Sequence, residues 1–337
     1  MTTPTPREVG LDRRTIVTVA ILAAVTVVLI VLSVGTGDYP MTPADVVRTL
    51  AGNGTKAQYL VVTGRLPRVL VAVLVGAALA LAGAVFQTLT RNPLGSPDII
   101  GFTTGSATGG IAMILLVGST PSVVALGALG GGLLTTVVIM ALCAPHGLSS
   151  SRVVLLGVAV SAVLAGVNSY LLVKASKENA ARATVWLVGD LAGRDWHYLV
   201  PLAVALAILV PAVLVNGRAL RMLEMGDEIA TGVGVAVGRV RVLLLVLAVA
   251  LVAAATAAAG PVPFIALIAP QVARRLTRLP GPNLVASVFV GAALVVAADY
   301  LGQRVLSSSL LPVGVVAATL GGVYLVFLLL VGRRRGA

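Results

Sequence analysis

The sequence predicts an all-α, polytopic membrane protein of about ten transmembrane helices. Three observations predict it. Of 337 residues, 58% are hydrophobic and 11% charged, too few polar groups to clothe a core of that size in water. The mean hydropathy of +1.05 is spread along the chain, which excludes a soluble domain on a single anchor. Apolar runs of bilayer length also recur from end to end, where the alternating strands of a transmembrane barrel would dilute them.

The runs cover residues 15–34, 69–89, 99–117, 122–143, 153–173, 199–215, 240–258, 262–276, 284–301 and 313–331. The first follows Arg13 and Arg14 and resembles a signal peptide, but about 20 apolar residues span a bilayer, so it reads as a retained helix. The second is entered through Arg65-Leu66-Pro67-Arg68, with Pro67 suited to a first helical position. The third carries Gly101, Gly105 and Gly109 on one face, which fits close helix packing. Thr103, Thr104, Ser106 and Thr108 fit a substrate path on the same helix, as does Asn168 in the fifth. The eighth run is short and carries Pro261, Pro263 and Pro270, so its boundaries are the least defined. An even number of crossings puts both termini on one side. Most of the 24 Lys and Arg lie on the side that holds the N-terminus, which predicts that both ends are cytoplasmic. This gives a tail at 1–14, a permease domain at 15–331 and a tail at 332–337. An arginine pair leading into an Ala/Val/Leu helix that ends in Ala-Gly occurs at 64–83 and again at 238–260, entering from opposite sides as inverted repeats require.

The net charge of +12 sits between apolar runs, where it orients helices; no nucleic-acid partner is expected. There is no phosphate loop, zinc-protease pair or nucleophile elbow, and the single Cys143 forms no internal disulfide. No catalytic or metal site and no bound cofactor are expected. Asp299 is the one ionisable candidate within the apolar runs. A salt bridge or cap with Arg304, docking of an outside partner and ion coupling are all open to it.

The longest polar segment on the predicted cytoplasmic side is 216–241, with coupling helices expected at about 217–235. Met222, Met225, Ile229 and Val233 recur at helical spacing, with Arg221, Glu224 and Glu228 opposite; Gly226 can break the helix and Asp227 can cap the next. An apolar stripe of this kind suits a groove on a soluble partner or the membrane surface, and its acids disfavour an anionic leaflet. On the other side, Arg65 and Arg68 fit either lipid phosphates or carboxylates of an external protein.

Several blocks together resemble a known family: Arg65-Leu66-Pro67-Arg68, the 13 residues 75–87 (VGAALALAGAVFQ), RNPLGSPDIIGFTTG at 91–105, LEMGDEIA at 223–230, AGPVPFIALIAPQVARR at 259–275, and LPVGVV at 311–316. The chain resembles permease subunits of the iron-siderophore and vitamin B12 branch of bacterial ABC importers. Within that branch it is most similar to the second permease of ferric-enterobactin-type systems. The resemblance implies a location in the bacterial cytoplasmic (inner) membrane and a second homologous permease, with a heterodimer expected. It also implies two ATPase subunits holding ATP and magnesium, an extracytoplasmic substrate-binding protein, and a ferric siderophore as cargo. Carried over by position, it assigns docking of the binding protein to Arg65, Arg68 and Arg304, with Gln303 at the family's usual third arginine. ATPase coupling falls to Arg221, Met222, Glu224, Met225, Gly226, Asp227, Glu228 and Ile229, and a cytoplasmic gate to Ser149, Ser150 and Ser151. Gly101, Thr104, Gly105 and Asn168 are the pathway or packing set. Thr231 and Gln271 depart from the family's usual arginine and histidine. A haem or cobalamin importer is the alternative within the family, and an ion-coupled secondary transporter the alternative outside it.

Overall fold

A computed structural model of the chain describes residues 13–37, 39–98, 100–143, 150–304 and 311–333; these are helices, turns and short connections, with no strand among them. Ten longer helices are α1 (Arg13–Gly35), α3 (Lys56–Thr90), α4 (Phe102–Leu116), α5 (Pro121–Cys143), α6 (Ser150–Lys174), α8 (Trp196–Val215), α11 (Val237–Ala259), α12 (Ile265–Thr277), α13 (Leu284–Gly302) and α14 (Val313–Arg333). They coincide with the ten predicted runs. Seven are long and apolar enough to cross a membrane by length and composition, and Phe102–Leu116 and Val313–Phe327 are shorter apolar stretches. Four short helices join them: α2 (Pro43–Leu50), α7 (Lys177–Leu187), α9 (Gly217–Met225) and α10 (Asp227–Gly232).

One boundary is corrected by a wide margin. Arg65-Leu66-Pro67-Arg68 does not open a helix; it lies inside α3, which begins thirteen residues before the predicted residue 69 with a capping box between Thr55 and Gln58. At about 1.5 Å per residue the 35-residue helix is about 52 Å long, well beyond the apolar thickness of a bilayer. Its first turns therefore project past the apolar zone, which is why they carry Lys56, Gln58 and Thr63 and escape an apolar-run criterion.

The two most buried spans, α3 and α11, form the centre. Around them the halves of the chain cross over. Helix α3 packs on α12 and α13, while α11 packs on α4 and α5; α1 lies on α3 as α8 lies on α11. This exchange of neighbours is the arrangement inverted repeats produce. Small residues allow it. A Cβ on Gly76 would lie 2.2 Å from the Gly291 carbonyl oxygen, so α3 and α13 meet backbone to backbone. Gly105 and Gly109 of α4 meet Gly127 and Gly131 of α5 in the same way, so the predicted small-residue face is a packing face.

The contacts also sort the helix ends. Arg14 Nε donates to the Leu276 carbonyl at the end of α12, and Gly281 in the following turn lies beside Arg221 of α9. Arg91 at the end of α3 reaches α9 and α10. At the opposite end Arg304 and Arg65 meet the segment after α1, and the Gly314 amide at the start of α14 donates to the Gly189 carbonyl. The two described chain ends, Arg13 and Arg333, thus lie at the same end of the bundle as α9 and α10.

Candidate functional sites at the two ends and in an open cavity

At the end holding α9 and α10, the predicted break occurs at Gly226, whose φ of 128° is open to glycine and strained for other residues. The predicted cap does not form. Gly226 itself occupies the N-cap of α10, and Asp227 is the first helical residue. With the N-cap lacking a side chain, the Asp227 carboxylate turns to two arginines from other helices: its Oδ1 accepts from Arg241 at 2.7 Å and from Arg91. The Arg241 hydrogen bond, and then the charges of Arg241 and Arg91, hold its carboxyl below the ordinary range against partial burial. Arg91 ends α3 in the left-handed conformation (φ 48°) and also donates to the Leu223 carbonyl.

Leu220, Leu223 and Ala230 are the buried side of the elbow. Met225, Ile229 and Val233 stand exposed at 61%, 48% and 62%, a contiguous apolar edge with Arg221 and Glu228 also exposed. Met222 differs from expectation: it is half-buried and packs on the core beside Leu223. Glu224 is half-buried, and Thr231 spends its hydroxyl on the Asp227 carbonyl. Beneath the elbow, Gln87 Nε2 donates to the Leu267 carbonyl, and Gln271 Nε2 donates to Gln87 Oε1 and to the Pro93 carbonyl. Gln271 thus bridges α3, the segment after it, and α12 without a titratable group.

At the opposite end the three predicted arginines converge, yet each is engaged within the fold. Arg65 donates to the carbonyls of Val34 and Tyr39, passing Gly37, where a Cβ would lie 2.4 Å from its guanidinium. Arg68 forms a two-nitrogen contact with Asp299, closest at 2.8 Å, and Gln303 Nε2 donates to the same carboxylate. Arg304 is exposed, stacks over Tyr300 and donates to Thr36 Oγ1. The expected Arg304 partner of Asp299 is therefore replaced by Arg68. Residue 304 is five positions on, off the face that carries Asp299, whereas the α3–α13 crossing brings Arg68 over it. Gln303, at i+4, does share that face.

An open cavity of about 420 Å³ is lined by Asp98, Thr103, Thr104, Leu187, Val188, Pro261, Pro263, Gly314, Val315 and Ala318. Helices α4 and α12 are short because their chains enter the bundle in non-helical form. Gly101 and Phe264 precede them in the left-handed region. Asp98 joins the two starts, accepting from the Thr103 hydroxyl at 2.6 Å and from the Phe264 amide at 3.2 Å. Non-helical backbone at this depth is tolerated only where protein or a cavity satisfies it.

The remaining predicted residues separate. Thr104 lines the cavity; Gly101 packs on Gly157 and Ser161 of α6, and Gly105 on Thr135. Asn168 is buried in α6, away from the residues that line this cavity, its Oδ1 without a hydrogen-bond partner among the described residues. Ser149 lies outside the described residues, and Ser150 and Ser151 begin α6. Sequence reasoning missed Asp98 and the roles of Arg91, Arg241 and Gln87. The available signal was carboxylates and amides in a chain with only 12 acids.

Known proteins resemble the chain throughout. The model of the FecCD transport family matches residues 25–331. The ferric enterobactin transport system permease protein FepG of Escherichia coli (strain K12) is 40% identical over 325 residues, covering 96% of this chain and 98% of that protein. The Fe(3+)-citrate import system permease protein YfmE of Bacillus subtilis (strain 168) is 35% identical over 320 residues, 94% and 96% of the two chains. A solved structure of a metal-chelate type ABC transporter in an inward-facing conformation superposes with a TM-score of 0.82 at 26% identity, covering 94% of this chain and 99% of that one.

Proposed function

The chain belongs to the FecCD transport family, and from that premise we propose that it is the permease subunit of a bacterial ABC importer and that its cargo is a ferric siderophore. The observation that carries the reading is near-full-length identity of 40% to a ferric enterobactin permease, joined to an elbow whose apolar edge stands exposed among the described residues. Such an edge, Met225, Ile229 and Val233 on a helix pair seated by Leu220 and Leu223, suits the groove of a soluble subunit. ATP hydrolysis would take place there, in two ATPase subunits, with the elbow end of the bundle facing the cytoplasm.

On this reading residues 15–331 form the membrane domain between cytoplasmic tails at 1–14 and 332–337, in the inner membrane. A second, homologous permease completes the path, whose wall in this chain includes the cavity at Thr103 and Thr104. Ser149, Ser150 and Ser151 would close its cytoplasmic end. The cargo is held by dispersed weak contacts, so iron stays with its chelator. The opposite rim receives the loaded binding protein. Arg304 is an exposed cation there, while Arg65 and Arg68 brace the rim through the backbone after α1 and through Asp299.

Copurification from native membranes tests the reading. The chain should retain an ATPase subunit and a second permease, and Met225→Asp with Ile229→Asp should release the ATPase while leaving the permease pair intact. Uptake of ferric enterobactin by the chain alone, abolished by a protonophore and with no ATPase bound, would overturn it.

A further inference from the structure

The elbow is held to the bundle unequally. Helix α9 is seated by Leu220 and Leu223, but α10 has six residues, of which Ala230 alone is buried. Among the described residues, the side-chain hydrogen bonds from α10 to the rest of the protein all run through Asp227. Thr231 bonds its own helix. One oxygen, Oδ1, takes both arginines, and they come from the two central helices: Arg91 from the end of α3 and Arg241 from the first turns of α11. Arg241 is mostly buried, its side chain 16% exposed; its Nη2 donates to Asp227 Oδ1, while its buried Nε has no hydrogen-bond partner among the described residues. Arg91 is aimed by its left-handed backbone and steadied by the Leu223 carbonyl. Two residues on, the Pro93 carbonyl takes the Gln271 amide of α12.

We propose that Asp227 is a positioning residue, a strut that ties the movable half of the elbow to α3 and α11 at once, so that displacement of α10 carries both central helices with it. This deepens the importer reading and rests on it for the source of the displacement. An elbow secured only by its apolar side could slide or roll over the core, because apolar contacts are non-directional. A carboxylate shared between two guanidinium groups fixes direction as well as distance. The two central helices meet at their Asp227 ends through the same oxygen, and they reach the opposite halves of the chain, α12 and α13 from one and α4 and α5 from the other. A single push is thereby divided between the two repeats.

The test uses the full complex with its ATPase subunits, with Cys143→Ser and spin labels at Thr231→Cys on α10 and Val242→Cys on α11, both exposed positions. With Asp227 present, the label separation should be narrow and equal with and without trapped nucleotide, because α10 and α11 move together. Asp227→Asn should broaden the distribution, and nucleotide should then shift α10 alone. Asp227→Glu should restore the narrow distance. In the same preparations, ferric enterobactin imported per ATP hydrolysed should fall about fivefold or more in Asp227→Asn, the scale of a coupling free energy of 1 to 3 kcal/mol. A narrow, nucleotide-independent distance in Asp227→Asn overturns the strut. Failure of the unsubstituted chain to hold an ATPase overturns the importer reading instead. The label distance without nucleotide still decides the strut in that case, broad in Asp227→Asn if it is right and narrow if it is wrong.

Discussion

Replacing Arg68 by Met isolates the energetics of the rim. Asp299 is 2% exposed and accepts from Arg68 at 2.8 Å and from Gln303 at 2.8 Å. Removing one partner of a buried ion pair costs about 3 to 5 kcal/mol, because the remaining charge is stranded. Gln303 still donates and Arg68 is 18% exposed, so the cost belongs at the lower end, about 3 kcal/mol. Asp299→Leu should cost less, about 1 to 2 kcal/mol, since a partly exposed guanidinium can swing to water or lipid phosphate. The double replacement strands no charge and should lie within about 1 kcal/mol of the native chain, more stable than Arg68→Met alone. Unfolding in mixed micelles on titration with sodium dodecyl sulfate, followed by circular dichroism, measures all four chains. An Arg68→Met cost below about 1 kcal/mol, or a double replacement equal to the sum of the singles, would refute the argument.

Three further outcomes are expected. Gly291→Leu should destabilise the chain by about 1 to 3 kcal/mol or more in the same titration, since even its Cβ would lie 2.2 Å from the Gly76 carbonyl oxygen and α3 must separate from α13. Arg304→Glu should weaken capture of the binding protein about tenfold in a pull-down, with ATPase association retained; a reversal at Arg68 would be a poor test, because it sets a second carboxylate against buried Asp299. Asp227 is held below the ordinary carboxylate value of about 3.9, so its contribution is fully present above that value and is lost only as pH falls through the lowered one. The α10–α11 label distance should therefore stay narrow from neutral pH to about pH 5 and broaden only in stronger acid.

The ten spans were legible because lipid demands an apolar run wherever the backbone crosses it. The elbow was legible through Gly226 and the periodicity of Met225 and Ile229. What escaped were properties set by distant chain. Asp227 looked like a cap because capping is a local rule, while its partners lie 136 residues before it and 14 after. Asp299 was assigned a neighbour in sequence, and the α3–α13 crossing supplied one from 231 residues away. The early start of α3 was hidden because a helix that leaves the lipid no longer needs apolar residues. The docking and gate assignments rest on positional resemblance to the family.

The glycines shared by α4 and α5 have an evolutionary corollary. With Gly105, Gly109, Gly127 and Gly131 bringing two main chains into touch, almost any new side chain on that seam would pry the pair apart. A side chain added on that seam is therefore expected to cost stability, because two backbones rather than two flexible side chains would have to move. Leu187, Val188 and Val315, which edge the cavity, lie off that seam, so changes of side chain there need not separate two main chains.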